Sequence, residues 1–386
     1  MKVPLLDLKL QYQSLKSEID NALIKVAKSQ MLILGEEVEK LENSIAGYVG
    51  TRYAVGVSSG TDALLMALME IEIKPGDEVI LPTYSFFATA GVVARLGAIP
   101  VFVDSETYTF NINPDKIKPL INAKTKVIIP VHLYGQSAAM DDIMKIAEEF
   151  GIPVIEDCAQ AIGATYSYGR NVGSIGLMGC FSFYPTKNLG AFGEGGIITT
   201  NDETLANKLK QMRNHGMSPK YYHKFIGGNF RLDAIQAAVL NVKLPHLEKW
   251  HEARRKNANL YSRLFIEAGL SEREGITEFN TKNPVLLPKA VYRDSGQTNY
   301  HIYNQYIIRV DNRDSLRGYL GDHGIGTEIY YPVPFHRQEC FSYLDNKDEN
   351  FPVANFVAEH SLALPIYPEL SEEQIVYVVE KIKEFI

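Results

Sequence analysis

A lysine at the end of a buried apolar run, opening a glycine-rich turn, is set up for covalent chemistry. Lys187 holds that position. It lies in Cys180-Phe-Ser-Phe-Tyr-Pro-Thr-Lys-Asn-Leu-Gly-Ala-Phe-Gly-Glu-Gly-Gly196, where the apolar run ends at Pro185. A lone lysine is ordinarily a solvated surface residue. An amine at a strand edge beside flexible backbone loses solvent, which lowers its pKa and supplies the neutral nucleophile that Schiff-base formation requires.

Two distant segments give this lysine its meaning. Val57-Ser-Ser-Gly-Thr-Asp-Ala-Leu-Leu-Met66 follows a strand-like stretch and opens an apolar helical run. A helix N-terminus presents unpaired N–H groups and a partial positive charge, so Gly60 and Thr61 are placed to bind a phosphate. An ordinary Ser/Thr cap is the alternative for this segment alone. Ile152-Pro-Val-Ile-Glu-Asp-Cys-Ala-Gln160 reads as a buried strand ending in two carboxylates. Open α/β sheets bind ligands at the carboxyl ends of parallel strands. For Asp157, a solvated strand-end carboxylate or a helix cap is the competing reading.

A phosphate cradle, a strand-end acid and a lysine on a later turn together resemble the pyridoxal phosphate enzymes of the aspartate aminotransferase fold, PLP fold type I. Ser59-Gly60-Thr61-Asp62-Ala63-Leu64, Glu156-Asp157-Cys158-Ala159-Gln160, Ser182-Phe-Tyr-Pro-Thr-Lys187-Asn-Leu-Gly190, Gly195-Gly196 and Gly228-Asn229-Phe230-Arg231-Leu232 narrow the likeness. In that order they resemble the DegT/DnrJ/EryC1/StrS family of sugar aminotransferases. The resemblance implies pyridoxal 5'-phosphate as cofactor, bound covalently by Lys187, which also serves as the base. It implies that Asp157 pairs with the protonated pyridine nitrogen and keeps the ring electron-poor. It implies that Gln160 hydrogen-bonds the phenolic oxygen, that Phe86 rather than Phe87 stacks on the ring, and that Ser182 joins Gly60 and Thr61 at the phosphate.

The resemblance also carries a quaternary expectation. Asn229 would reach the cofactor phosphate of a neighbouring subunit, making a homodimer with shared sites; a plain turn before a helix is the alternative for Gly227-Gly228-Asn229. The substrates implied are glutamate and a nucleotide-linked keto-sugar. Lys220, Tyr221 and Arg231, in the cationic stretch after the lysine turn, are candidates for its diphosphate, although single loop charges are commonly solvated. Tyr331 and His336, in Glu328-Ile-Tyr-Tyr-Pro-Val-Pro-Phe-His336, are candidates for the hexose. That turn looks more like the group aminating C-3 than C-4, which points to a dTDP-linked 3-keto-6-deoxyhexose. C-4 amination or a UDP-linked acceptor is the alternative. Family members with histidine in place of the lysine are dehydratases, and Lys187 argues against that reading. A non-catalytic PLP-binding regulator is disfavoured because no helix-turn-helix module is visible at either end. Ser58 to Asp62 fits neither a Walker nor a dinucleotide fingerprint.

The elements that must position these residues are legible as an alternation. Strand-like Tyr53–Val57, Glu78–Leu81, Ile99–Val103, Val127–Val131 and Val154–Ile155 alternate with helical stretches, among them Glu36 to Tyr48, a run from Thr61, and Met140 to Phe150. Such alternation demands crossover connections and a mainly parallel sheet. Phe181–Phe183 and Gly196–Thr200 read as two strands around the lysine turn. A charged helical stretch from Arg231 to about Ala268, interrupted at Pro245, bridges to a smaller α+β domain. There Gln305–Val310, Arg313–Asp322 and Thr327–Tyr331 read as strand, helix and strand; Glu272 to Asn299 reads as surface loop. Ser371 and Gln374 spell a capping box for a final helix. The division expected is a large PLP-binding α/β domain over residues 1–245 and a linking helix with a small C-terminal domain over 246–386.

Composition suits this picture. The chain has 386 residues, enough for two domains, and 46% hydrophobic residues, enough to fill their cores. A formal net charge of −7 disfavours a nucleic-acid or membrane-surface role. Cys158, Cys180 and Cys340 are widely spaced and suggest neither a disulfide framework nor a thiolate metal site. The charged N-terminal stretch lacks the apolar region of a signal peptide, and no run approaches a membrane span. A cytoplasmic protein is the expectation.

Overall fold

The computed structural model describes residues 1–386 in full. Eleven helices are present: α1 (Leu8–Ser29), α2 (Glu36–Val49), α3 (Gly60–Glu70), α4 (Ala88–Arg95), α5 (Met140–Phe150), α6 (Glu203–Met212), α7 (Ala234–Lys243), α8 (Leu247–Glu267), α9 (Arg313–Asp322), α10 (Pro352–His360) and α11 (Glu372–Phe385). Ten strands accompany them: β1 (Tyr53–Val57), β2 (Glu78–Pro82), β3 (Ile99–Val103), β4 (Thr125–Ile128), β5 (Ile155–Asp157), β6 (Met178–Ser182), β7 (Gly196–Thr200), β8 (Val285–Leu286), β9 (Tyr306–Val310) and β10 (Ser361–Leu364).

The large sheet follows from strands whose both faces are apolar. β3, β2 and β4 run parallel, as do β5 and β6, and parallel bridges Ile128–Val154 and Val131–Asp157 join the two groups. β7 pairs antiparallel with both β6 and β1. The order is therefore β3-β2-β4-β5-β6-β7-β1, mainly parallel, with β7 the reversed strand. Successive residues point to opposite faces. Val55, Val57, Met178, Cys180 and Ile198 pack with α3 on one side. Ala54, Phe181 and Ile197 pack with α2 and α7 on the other. Because α3 is covered on all sides, Ala63 through Leu68 are all buried, and an all-round apolar helix is stable only in such a place.

A buried ion pair pins the start of this arrangement. Glu42 of α2 accepts from Arg213 and, at 2.8 Å, from the Gly56 N–H, while Arg213 donates to the Gly56 carbonyl at 2.8 Å. The end of β1, from which the Ser59-Gly60-Thr61 turn departs, is thereby fixed from two helices.

The smaller sheet is antiparallel, in the order β10-β9-β8. Helices α8, α9 and α11 pack around it, and α11 opens with the Ser371–Gln374 capping box. Three features differ from the sequence reading. Thr327–Tyr331 is not a strand; only Glu328 bridges, to Ala363, because the chain turns inward and the Tyr330 carbonyl is taken by the hydroxyls of Tyr84 and Tyr134. Within Glu272 to Asn299, Val285 and Leu286 form fully buried β8 rather than loop. The division at residue 245 is also crossed in both directions. Val3 joins the small-domain core beside Ile325, whereas Phe335, Phe341, Phe351, Ala354 and Val357 pack into the core of the large one.

Candidate active site

The carboxyl ends of the parallel strands open into a cavity of about 550 Å³. Its lining includes Gly60 and Thr61, Phe86, Asp157 and Gln160, Ser182, Lys187 and Tyr331. Residues separated by more than 270 positions in sequence thus share one space.

At one part of the cavity the N-terminus of α3 presents backbone N–H groups of the kind that hold an anion. Ser59 caps α3, its hydroxyl accepting the Asp62 N–H at 3.0 Å. Gly60 and Thr61, at the first helical positions, lie before the reach of intrahelical bonding. A Cβ on Gly60 would sit 2.6 Å from the Ser182 Cβ, so only glycine lets the helix end approach β6 this closely. The Ser182 hydroxyl accepts the Tyr184 N–H at 3.3 Å, which leaves its own hydrogen to donate.

Elsewhere in the cavity stands a buried acid. Asp157 ends β5, accepting from the Thr89 hydroxyl at 2.8 Å and from the Ala159 N–H at 3.1 Å. Burial pushes its carboxyl above the usual range, against the Thr89 and Ala159 hydrogen bonds and the nearby charge of Lys187. A cation brought beside it would hold the carboxylate ionised. The Lys187 amine is drawn down to about 8 by burial, with the charge of Asp157 opposing the fall. Its backbone N–H bonds the Tyr184 carbonyl, which closes the turn.

Gln160 is held in one orientation. Its Oε1 accepts the Tyr134 N–H at 2.7 Å and its amide nitrogen donates to the Tyr331 hydroxyl at 2.9 Å. Burial, with Tyr84 and Asp157 nearby, raises the Tyr331 phenol above its ordinary value, so it stays protonated and available as a donor. Phe86 exposes its ring and lies 5.9 Å from the Tyr331 ring.

Five expected residues do not line this cavity: Asn229, Arg231, Lys220, Tyr221 and His336. Asn229 and Arg231 extend the sheet edge, bridging to Asn214 and Val57, and the Arg231 guanidinium donates to the Asn214 side chain at 2.8 Å. Lys220 lies over the ring of Tyr221, which is 76% exposed. The expectation for His336 is corrected. Its side chain is only 1% exposed, bonded through Nδ1 to Thr83 at 2.7 Å and through Nε2 to Asn355 at 3.0 Å, and stacked on Phe351. Those contacts turn the ring into the protein and away from the cavity.

The sequence reading missed several lining residues, including Tyr184, Glu194, Gln305 and Tyr330. Tyr184 and Tyr330 adjoin motif residues, which was the available signal. Thr89 carried none, since one hydroxyl in a helical run looks like filler. His132, Glu156 and Cys158 bring potential metal ligands within 4.8 Å of one another. Hydrogen bonds occupy them instead. His132 Nδ1 accepts the Ala138 N–H, so its Nε2–H donates to Glu156 at 3.0 Å. Glu156 further accepts the N–H groups of Gly173, Ile175 and Gly176. Burial opposes its ionisation, but these bonds, led by that of His132, keep its pKa below the usual range.

The reversed β7 in a parallel sheet, the antiparallel second domain, and an anion cradle, acid and desolvated lysine at the strand ends define an enzyme of PLP fold type I. The DegT/DnrJ/EryC1/StrS aminotransferase family profile matches residues 13–383, and the chain belongs to that family. It is a PLP-dependent sugar aminotransferase. A protein of Geobacillus stearothermophilus named pleiotropic regulatory protein is 49% identical over 100% of this chain and 99% of its own. The UDP-N-acetyl-3-dehydro-alpha-D-glucosamine 3-aminotransferase of Acidithiobacillus ferrooxidans is 42% identical over 99% and 97%. DesV of S. venezuelae, solved in complex with a ketimine intermediate, superposes with a TM-score of 0.91 at 37% identity, covering 100% and 98% of the two chains. No helix is long and apolar enough to cross a membrane.

Proposed function

We propose that this enzyme moves an amino group from glutamate to C-3 of a nucleotide-linked 3-keto-hexose, with dTDP-3-keto-6-deoxyhexose as acceptor. The observation that carries the reaction type is the meeting of Lys187, Asp157 and the Gly60 cradle in one cavity. When bound there, pyridoxal phosphate supplies an aldehyde that condenses with amines and a ring that stabilises the carbanion left by deprotonation. Gly60, Thr61 and Ser182 hold its phosphate, Asp157 keeps a proton on its ring nitrogen, and Gln160 donates to its phenolic oxygen. The Lys187 amine, with a pKa of about 8, would take and return the proton at the substrate carbon.

With Phe86 stacked on the cofactor ring, the rings of Tyr184, Tyr330 and Tyr331 give the sugar apolar faces, which suits a 6-deoxy carbon. Lys187 is the single cationic side chain in the lining, so the diphosphate needs donors from elsewhere. We assign that role to Lys220, Tyr221 and Arg231 of a second copy of this chain, with Asn229 reaching the same copy's neighbour at the cofactor phosphate, in a homodimer. The 42% identical relative favours a second reading, a UDP-linked 3-keto-N-acetylhexosamine.

Incubation with glutamate and a panel of dTDP- and UDP-linked 3-keto and 4-keto sugars, with NMR of the product, tests both. Amine at C-3 of the dTDP sugar is expected. Turnover of the UDP sugar alone selects the second reading, amine at C-4 overturns the regiochemistry, and turnover of no sugar in the panel overturns both proposed acceptors.

A further inference from the structure

Arginine stays charged in proteins, and a buried charge is costly unless it is paired. Arg309 of β9 is 2% exposed and forms no ion pair. Its guanidinium donates one hydrogen bond, from Nη2 to the Ile276 carbonyl at 3.0 Å, and its buried Nε has no partner. The face of Phe110 lies 5.1 Å away, which offsets only part of the desolvation.

This arginine lines a cavity of about 250 Å³ between the two domains, none of whose residues belongs to the active cavity. Thr107 from the large domain and Thr277 from the small one also line it. Pro352, Val353, Phe356 and Val357 of α10 form an apolar wall. The helix end itself is already satisfied: Asp104 accepts the Val353 and Ala354 N–H groups and pairs with Lys116 at 2.8 Å. Arg309 is therefore the buried charge in this lining that has no ion-pair partner, since Glu278, the other charged residue there, is exposed and not paired with it.

We propose that this cavity is a binding site for a small monocarboxylate with a short aliphatic body. One carboxylate balances one guanidinium and takes hydrogen bonds from the two threonines, while the aliphatic part lies on the α10 wall. The exposed carboxylate of Glu278, which also lines the cavity, opposes a dianion such as phosphate. Since the walls come from both domains, occupancy ties them together.

The test is calorimetric titration of the holoenzyme with isobutyrate, isobutyramide and inorganic phosphate. Isobutyrate is expected to bind, the neutral amide not to bind, and phosphate to bind more weakly. Affinity for isobutyrate should fall by about tenfold or more in Arg309→Met, as expected for loss of a charge-assisted hydrogen bond. The double variant Thr107→Val/Thr277→Val, which leaves the arginine in place, should weaken binding if Arg309→Met fails to fold. Binding that survives these variants belongs to the active cavity and overturns the proposal. So does absence of binding in both the parent and Glu278→Gln, or phosphate binding tighter than isobutyrate.

Discussion

The Lys187 amine gives the sharpest quantitative prediction. With its pKa drawn down to about 8, about one amine in eleven is neutral at pH 7, against about one in three thousand for an ordinary lysine, a gain of about 300-fold in nucleophile. The direction follows from the charge: burial disfavours the ammonium, so the proton leaves earlier as pH rises, and the neutral form dominates above about 8. Asp157 works the other way, since its negative charge stabilises the ammonium. Asp157→Asn must therefore move the midpoint further down. The variant separates two roles, because it makes the free lysine more nucleophilic while removing the charge that holds the ring proton. Transamination should fall by orders of magnitude even where cofactor is captured.

The assay is competitive acetylation of cofactor-free protein across pH 6 to 11, with the Lys187 peptide quantified by mass spectrometry against an exposed lysine peptide. A midpoint near 8 in the parent, displaced downward in Asp157→Asn, is expected. A parent midpoint in the ordinary lysine range, or an upward displacement in the variant, refutes the reasoning.

The same geometry sets the remaining outcomes. Gly60→Ala places a Cβ 2.6 Å from the Ser182 Cβ, so the helix end must retreat; spectroscopic titration should show cofactor affinity lower by about tenfold or more, the loss of one charge-assisted bond. Thr89→Val removes the hydrogen bond to Asp157 and raises that carboxyl further, so kcat should fall about tenfold with Tm little changed, whereas an unaltered kcat would make Thr89 a packing residue. Glu156→Gln turns one oxygen that accepts two N–H donors into a donor itself, and urea unfolding should show a loss of about 2–5 kcal/mol. Mixing Lys187→Ala with Asn229→Ala protomers should restore one intact site per heterodimer; with subunit exchange verified, no recovery speaks against the shared site.

What was legible in the sequence was local. β1, β3, β7, α5 and α9 end where the pattern places them, because an apolar strand between helices or an amphipathic helix before glycine has one stable use. The meeting of Lys187, Asp157 and Gly60 in one cavity was legible for a related reason, since a lysine after an apolar run, a strand-end acid and a glycine-led helix each leave a trace within ten residues. Thr327–Tyr331 shows the limit. Its β-branched and aromatic side chains favour a strand, yet the hydroxyls of Tyr84 and Tyr134, some 200 residues or more away, capture its backbone. His336 fails similarly, its imidazole recruited by Thr83 and Asn355. In both, long-range hydrogen bonds outweigh local preference, and no local pattern encodes them.

The residues outside the cavity raise a different question. Tyr221, Tyr222 and Ile226 are 76%, 71% and 88% exposed in one short stretch next to Asn229 and Arg231. Large apolar side chains clustered at this exposure are expensive for a free surface and ordinary for an interface. Met31, Leu32 and Ile33 are exposed as well, and they are tied to the same region: Ile33 bridges Asp233, and the Leu32 carbonyl accepts the Ala234 N–H. A second copy covering this surface would bury the apolar side chains and carry Lys220 and Arg231 toward a cavity whose own lining lacks a cation for the substrate's diphosphate. The exposed surface and the charge deficit then have one cause, which is why the Asn229 complementation tests the substrate site as well as the dimer.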